Sequence, residues 1–281
     1  MASPPDQTRV IVKERSGCAL HAWVHGPGNA PLVVLTHGAT MDHRMFDSQL
    51  PPLLAAGYQV MTVDLRGHGH SRPLGGAPLS VPALAEDVLA LIDEAGADRF
   101  VVIGQSLGGY VAQDLVLRYP HRVIALGVIG STATTTPISR LDAYLLRSSV
   151  TWFRFWPYKH LRKLMVTSLA HDEEVQAYAR EAMNTLTKEE FLTIWTAVTH
   201  VHQPLPEYRI EHPFLLTHGD QDRTGNIRAV APAWAARDPQ STYVVIPDAR
   251  HNANQDNPDF YNRALLNFLT QHAPTDPSQR K

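Results

Sequence analysis

Short, largely apolar runs recur along most of the chain, and each has the length of a β-strand. The six clearest runs are Leu32–Leu35, Tyr58–Leu65, Phe100–Ile103, Val123–Ile129, Phe214–Thr217 and Thr242–Ile246. They lack the strict polar alternation of a strand with one solvated face, and they match strands buried on both faces of a parallel sheet.

Segments with helical spacing lie between these runs. In Val81–Ala95 the apolar positions recur every three or four residues, and Gly96 follows as a stop signal. Similar segments are Leu107–Tyr119, Ile227–Ala236 and Pro258–Leu269. Alternating strands and helices predict an α/β fold in which a mostly parallel central sheet is flanked by helices on both faces.

The alternation stops in the middle of the chain. Between about residues 132 and 208 the sequence is rich in helix formers and aromatic residues but contains no convincing buried strand. We therefore predict a core domain built from residues 1–133 and 209–281, with an inserted helical cap, or lid, over residues 134–208.

Composition narrows the class of protein. The 281 residues carry a formal net charge of −2 and no basic run, so nothing predicts nucleic acid or a membrane as a partner. Cys18 is the single cysteine, which excludes an internal disulfide. The first residues, Met1–Asp6, lack the pattern of a signal peptide, and the apolar runs are too short to span a bilayer, so a cytoplasmic protein is the default expectation.

Parallel α/β sheets gather their chemistry at the carboxyl ends of the strands. After the strand Phe100–Ile103, the sequence Gly104-Gln105-Ser106-Leu107-Gly108 leads into a helix, which matches the G-x-S-x-G nucleophile elbow. Glycines permit the sharp reversal, and the serine hydroxyl then projects above the sheet at the positive end of the helix. Ser106 is therefore the candidate nucleophile.

The elbow, together with His37-Gly38 and the stretch Asp64–Ser71, resembles the α/β-hydrolase family over nearly the whole chain except the middle insertion. The resemblance implies the α/β-hydrolase fold and a serine hydrolase with a nucleophile–acid–histidine order. Haloalkane dehalogenases and epoxide hydrolases in this family use an aspartate nucleophile, and Ser106 argues against both.

A serine hydroxyl needs a base to take its proton, and histidine suits this role near neutral pH. Among the 15 histidines, His251 follows the last strand and precedes the last helix, as the base does in the family. Arg250 stands where the family usually has glycine, which puts a cation beside the base. The alternative is His37, which the resemblance assigns to support of the oxyanion loop. We interpret His68 and His70 as structural or solvent-facing, and His218, which ends a strand close to the expected acid, as at most a supporting residue behind the site.

The acid should follow the strand Phe214–Thr217. Asp222 fits the family pattern Gly-x-x-Asp, while Asp220 is the alternative and suits the turn better. A carboxylate there would hold the imidazole in the correct tautomer and stabilise its cation. Asp248 lies too close to His251 in sequence for this role.

The negative charge that develops on a carbonyl oxygen needs N–H donors. The resemblance assigns the backbone N–H groups of Ala39 and Leu107 to this oxyanion hole. The candidates for the substrate pocket are Met41 and Phe46, and the cap aromatics Trp152 and Trp156. For each of them, plain packing is the alternative interpretation.

The sequence therefore predicts a hydrolase that cleaves a small-molecule carboxylic ester or lactone through an acyl-enzyme, with no cofactor and no metal. Carbon–carbon bond hydrolases, amidases and cofactor-free perhydrolases share the same triad and stay open as alternatives. A ligand-responsive receptor with little turnover is the alternative from another functional class. The sequence leaves monomer and homo-oligomer undetermined.

Overall fold

A computed structural model describes residues 8–276 and residue 278 of the chain. One eight-stranded sheet organises it. The strands are β1 (Arg9–Arg15), β2 (Cys18–His25), β3 (Leu32–Thr36), β4 (Gln59–Asp64), β5 (Phe100–Gln105), β6 (Val123–Ile129), β7 (Phe214–Gly219) and β8 (Ser241–Ile246). The segment Met1–Asp6, which we interpret as lacking a signal peptide, lies outside the described residues.

The strand order is β1-β2-β4-β3-β5-β6-β7-β8. The β1–β2 and β2–β4 pairs are antiparallel, and all the other pairs are parallel. In β3, β5 and β7 every residue is buried, as expected for central strands covered on both faces. The predicted α/β-hydrolase fold with its mostly parallel sheet is confirmed.

Helices cover both faces of the sheet. They are α1 (Leu50–Ala55), α2 (Val81–Ala95), α3 (Leu107–Arg118), α4 (Arg140–Phe155), α5 (Tyr158–Leu169), α6 (Glu173–Asn184), α7 (Lys188–Thr199), α8 (Ile227–Arg237), α9 (Ala253–Asp256) and α10 (Pro258–His272). One core packs α2, α3 and α8 against the sheet, and a second core packs α1 and α10 against the opposite face. The burial of these two apolar layers supplies the main driving force for folding.

Four consecutive helices, α4–α7, occupy the stretch between β6 and β7, and no strand interrupts them in this described part of the chain. Their location agrees with the predicted insertion, and the division into a core and a cap over residues 134–208 stays a prediction. Within residues 8–276 and 278, no helix combines the length and apolar character needed to cross a membrane.

Candidate active site

Ser106 lies at the tight reversal from β5 into α3. Its backbone has φ 49° and ψ −113°, in the left-handed half of backbone space, where a side chain costs about 1–3 kcal/mol. The Ser106 N–H donates to the Ile129 carbonyl at 2.9 Å, and the Ser131 hydroxyl donates to the Ser106 carbonyl at 2.8 Å. A Cβ at Gly108 would lie 2.0 Å from the Thr36 carbonyl oxygen, so only glycine lets α3 pack this close to β3. The surrounding strands thus hold Ser106 in a strained conformation.

His251 and Asp222 form a buried pair at the ends of the neighbouring strands. Nδ1 of His251 lies 2.9 Å from Oδ2 of Asp222, and both side chains are almost fully buried. The other oxygen, Oδ1, accepts the Thr224 N–H at 2.8 Å. Burial alone would raise the pKa of Asp222, but the His251 ring and the hydrogen bonds outweigh it and lower the pKa. Asp222 is therefore a carboxylate at neutral pH.

This contact fixes the tautomer of the histidine. Because the Asp222 carboxylate can only accept, Nδ1 of His251 must carry a proton, and in the neutral ring Nε2 is then the acceptor. In the described chain Ser106 Oγ makes no hydrogen bond, so the serine–histidine contact that proton transfer needs is not formed in this structure. Such contacts are often long before the substrate binds.

Gln105 joins the elbow to the histidine loop, a role that the sequence analysis missed. Its side-chain amide donates to the His251 carbonyl at 3.0 Å and is completely enclosed. Because Gln105 directly precedes Ser106, this bond ties the backbone of the candidate base to that of the candidate nucleophile. The signal was its position inside the elbow motif, although its partner is 146 residues away.

Two further side chains brace the same loop. Oδ1 of Asp220 accepts the Ala249 N–H at 3.1 Å, which fits the predicted turn role of this residue. The Arg250 guanidinium donates to the carbonyls of Ala170 (3.1 Å) and Thr167 at the end of α5. The guanidinium thus joins the histidine loop to α5, and its charge is used there rather than against the imidazole of His251.

The loop after β3 contains the first predicted oxyanion donor. A Cβ at Gly38 would lie 3.3 Å from Ser106 Cβ and would overlap the Gln105 amide oxygen at 2.0 Å, so the loop backbone lies directly against the elbow. In the described part of the chain the N–H groups of Ala39 and Leu107 have no hydrogen-bond acceptor. Both are therefore free to donate to a ligand.

His37 supports this loop and has no free nitrogen. Its Nδ1 donates to the Gly38 carbonyl at 2.8 Å, and its Nε2 accepts the Leu65 N–H at 3.0 Å. Burial lowers the pKa of His37, so the ring is neutral. These contacts agree with the supporting role that the family resemblance implies.

Two other histidines are buried and contact backbone carbonyls, although Nε2 of His68 has no hydrogen-bond partner in the described chain. Burial lowers the pKa of His68 to about 3, and its Nδ1 lies 3.1 Å from the Arg66 carbonyl. His218 pairs with the Tyr243 hydroxyl at 2.6 Å through Nε2 and with the Gly219 carbonyl at 2.8 Å through Nδ1. Neither has a ring positioned by a carboxylate as His251 has.

One group in the described chain has the composition of a metal site. Asp64, His43 and His70 place their ligand atoms within 4.8 Å of one another. Each Asp64 oxygen already receives one backbone N–H and one ring contact: Oδ1 faces His43 at 2.8 and 2.9 Å, and Oδ2 faces His70 at 2.7 and 3.2 Å. Asp64 thereby joins two loops, which accounts for its burial without an ion. The absence of a cofactor and a metal stays a prediction.

The predicted pocket residues divide into two groups. Met41 and Phe46 are buried in the second core, the one that includes α1 and α10. Trp152 and Trp156 lie on the outside of the helical stretch, 72% and 42% exposed, so no pocket encloses them. The packing role suggested for the cap aromatics belongs instead to their neighbours, because Phe153 packs inward with its ring tilted against the aromatic rings of α7.

Comparison with known proteins places this chain in a family. A model of the alpha/beta hydrolase family matches residues 33–264. The chain belongs to this family. The matched range includes the elbow, the loop after β3, and the Asp222–His251 pair. Membership of the alpha/beta hydrolase family supports hydrolase activity.

Two proteins that are similar in sequence to this chain are named for reactions that differ from each other. Fluoroacetate dehalogenase from a Burkholderia species is 32% identical over 130 residues, which cover 45% of this chain and 42% of that protein. The 3-oxoadipate enol-lactonase 1 of Acinetobacter baylyi is 32% identical over 124 residues, covering 44% of this chain and 46% of that protein. The match thus spans less than half the length of each of these relatives.

Structural similarity extends over almost the whole chain. The crystal structure of a hydrolase from Pseudomonas aeruginosa PA01 superposes with a TM-score of 0.81 at 25% identity, covering 92% of this chain and 98% of that one. The shared architecture therefore includes the helical stretch between β6 and β7. The substrate is not specified by any of these similarities.

Proposed function

We propose that this protein is a serine hydrolase that cleaves a carboxylic ester or a lactone through an acyl-enzyme on Ser106. The observation that carries the proposal is the buried Asp222–His251 pair, 2.9 Å apart, joined through Gln105 to the strained elbow that presents Ser106. We assign Ser106, Asp222 and His251 as nucleophile, acid and base. The pair also lies at the carboxyl ends of adjacent strands, where the functional groups of parallel α/β sheets gather.

Acylation begins when Ser106 Oγ attacks the substrate carbonyl carbon. His251 Nε2 takes the hydroxyl proton, and Asp222 stabilises the resulting imidazolium at Nδ1. The carbonyl π electrons move to its oxygen, and the Ala39 and Leu107 N–H groups donate hydrogen bonds to the resulting oxyanion. Collapse of the tetrahedral intermediate breaks the bond to the leaving oxygen, which takes the proton from His251. In a lactone the leaving hydroxyl stays attached to the acyl chain.

Deacylation repeats these steps with water. His251 Nε2 removes a proton from the water as its oxygen attacks the acyl carbon, and the Ser106 oxygen leaves with that proton. The acid product and the free hydroxyl are the result. Each oxyanion donor contributes about 2.7–4 kcal/mol to the stabilisation of the two tetrahedral states.

The dehalogenase similarity favours a different first step, but the elbow residue opposes it. Displacement of a halide by an enzyme carboxylate needs an aspartate at the elbow, and Ser106 occupies that place. An alkoxide generated by His251 suits attack on a carbonyl instead. We further assign residues 134–208 as a cap whose inner face limits the substrate.

The test is hydrolysis of a series of p-nitrophenyl esters, from acetyl to long acyl chains, by the wild type and Ser106→Ala. Ser168→Ala, on α5, is the matched serine control. We expect the Ser106 variant to lose about 10⁴–10⁶-fold in rate while the control retains wild-type activity. A fully active Ser106→Ala enzyme would contradict the proposal. Tight ligand binding without turnover of any ester or lactone would replace it with the receptor interpretation.

A further inference from the structure

Helix α4 has an unusual surface. None of its 16 residues is buried. Eleven large hydrophobic side chains of the described chain are exposed, and seven of these lie on or near α4 and α5. The seven are Leu141, Tyr144, Leu145, Trp152, Phe155, Trp156 and Leu164. Single exposed apolar residues are normal, but a contiguous exposed group of this size marks an interaction site.

The opposite side of α4 is fixed to the protein. Phe153 packs against Trp195 of α7 with ring centroids 5.3 Å apart, and the Trp195 ring N–H donates to the Ser149 hydroxyl at 2.8 Å. A helix turns 100° per residue, so these inward positions leave the side that carries Leu141, Leu145 and the exposed aromatics facing outward. We call the exposed side of α4 and α5, residues 140–169, the outer cap face.

Positive charge accompanies the apolar residues. Residues 140–169 contain six basic side chains and one acid, Asp142, a net charge of +5 in a chain whose total is −2. Arg140, Arg147 and Arg154 follow one another at intervals of seven and so form a ridge along one side of α4. In the described chain, none of these three arginines has an ion-pair partner.

The ridge also borders an open region of the surface. About 510 Å³ of solvent-open space lies beside α4 alone, next to Arg140, Tyr144, Arg147 and Ser148. Two guanidinium groups and hydroxyls around one opening suit a phosphate or carboxylate group, because guanidinium binds both through paired N–H donors. The exposed apolar residues and the two arginines therefore occupy the same exposed side of α4.

We propose that the outer cap face binds an anionic lipid surface, with α4 lying in the plane of the interface. Its exposed tryptophans and leucines would enter the boundary between headgroups and acyl chains, while the arginine ridge contacts lipid phosphates. This reverses the expectation from the net charge of the whole chain, because the remainder carries −7 and masks the local +5.

Charge decides between a membrane and a second copy of the chain as the occupant. A twofold dimer through this face would bring the same patch of each subunit together, and so would oppose +5 with +5. An anionic surface has the complementary sign. The proposal does not depend on the reaction at Ser106.

The experiment is flotation of the wild-type protein with vesicles of phosphatidylcholine alone and of phosphatidylcholine with about 30% phosphatidylserine. We expect binding to the anionic vesicles that weakens as salt rises. Replacing both Arg147 and Arg154 by glutamine should lower the partition coefficient about 30-fold, since each cation near such a surface is worth about five-fold. The matched control is Arg209→Gln, a surface cation outside the face.

A second pair tests the apolar part. Trp152→Ala with Phe155→Ala should reduce binding at least about ten-fold, whereas Leu205→Ala, at an exposed leucine elsewhere, should leave it unchanged. The arginine pair should retain hydrolysis of a water-soluble ester, which separates this proposal from the proposed function.

Equal partitioning of wild type and both pairs, or no flotation with anionic vesicles, would overturn the proposal. A wild-type dimer in sedimentation velocity that the aromatic pair converts to a monomer would also overturn it, in favour of self-association.

Discussion

Replacing Asp222 by asparagine tests how the histidine is oriented. The substitution keeps the shape of the side chain but makes one of its two ends a donor. Oδ1 of Asp222 accepts the Thr224 N–H at 2.8 Å, so the asparagine oxygen must occupy that position. Its NH₂ group then faces Nδ1 of His251, which has to become the acceptor. The proton moves to Nε2, and the ring can no longer take a proton from Ser106.

The expected cost is about 10⁴-fold in kcat, or about 5.5 kcal/mol, which is the effect of the wrong tautomer in a serine–histidine–aspartate site. The assay is hydrolysis of the best p-nitrophenyl ester at about pH 8, with thermal unfolding to verify the fold. Asp220→Asn is the matched control, since in the described chain the carboxylate of Asp220 accepts a hydrogen bond only from a backbone N–H of the histidine loop. An Asp222→Asn enzyme with more than a tenth of wild-type kcat would refute the reasoning, and a large loss in the control alone would move the acid to Asp220.

Three further outcomes follow from other contacts. Gly38→Ala should lower kcat by about 10²–10³-fold with little change in KM, because its Cβ would displace the loop that presents one oxyanion donor; a change in KM alone would contradict this. Asp87→Ala should reduce the free energy of unfolding in urea by about 3–5 kcal/mol, since it leaves the Arg66 guanidinium buried and unpaired; a loss under about 1 kcal/mol would count against it. Burial opposes ionisation of Asp42, but the adjacent Arg44 guanidinium outweighs it and holds the pKa below its ordinary 3.8. The contribution of ionised Asp42 to the free energy of unfolding should therefore be complete above that value and decline as the pH falls below it. Urea unfolding of wild type and Asp42→Asn from about pH 6 to 2.5 would measure this contribution. A difference between the two proteins that stays constant with pH would refute the prediction.

Most of the fold could be predicted because its information is local. The apolar run Leu32–Leu35 is part of a buried strand, as its composition indicates. Val81–Ala95 forms the helix that its spacing and the following Gly96 indicate. The elbow could be predicted for the same reason, because the strand, the glycines and the helix that define it are contiguous in sequence. Pro51 and Pro52 lie in the first turn of α1, where the missing proline N–H removes no intrahelical hydrogen bond.

The features that could not be predicted depend on contacts between residues far apart in sequence, or on the direction in which a side chain points. Gln105 faces a carbonyl 146 residues away, and no spacing in the sequence indicates that partner. Arg250 follows its neighbour Ala249 in the expected place, but its guanidinium turns to α5 rather than to the base. Trp152 is an aromatic residue of the kind that lines apolar pockets, and only the packing of Phe153 against α7 shows that Trp152 faces outward.

Covalent labelling tests the central claim most directly. Diisopropyl fluorophosphate reacts with a serine that a neighbouring base activates, and peptide mass spectrometry locates the adduct. The account predicts one adduct per chain, on the peptide that contains Ser106, with esterase activity lost in proportion and no labelling of Asp222→Asn at a comparable rate. An adduct on another residue, or full activity after complete modification of Ser106, would contradict it.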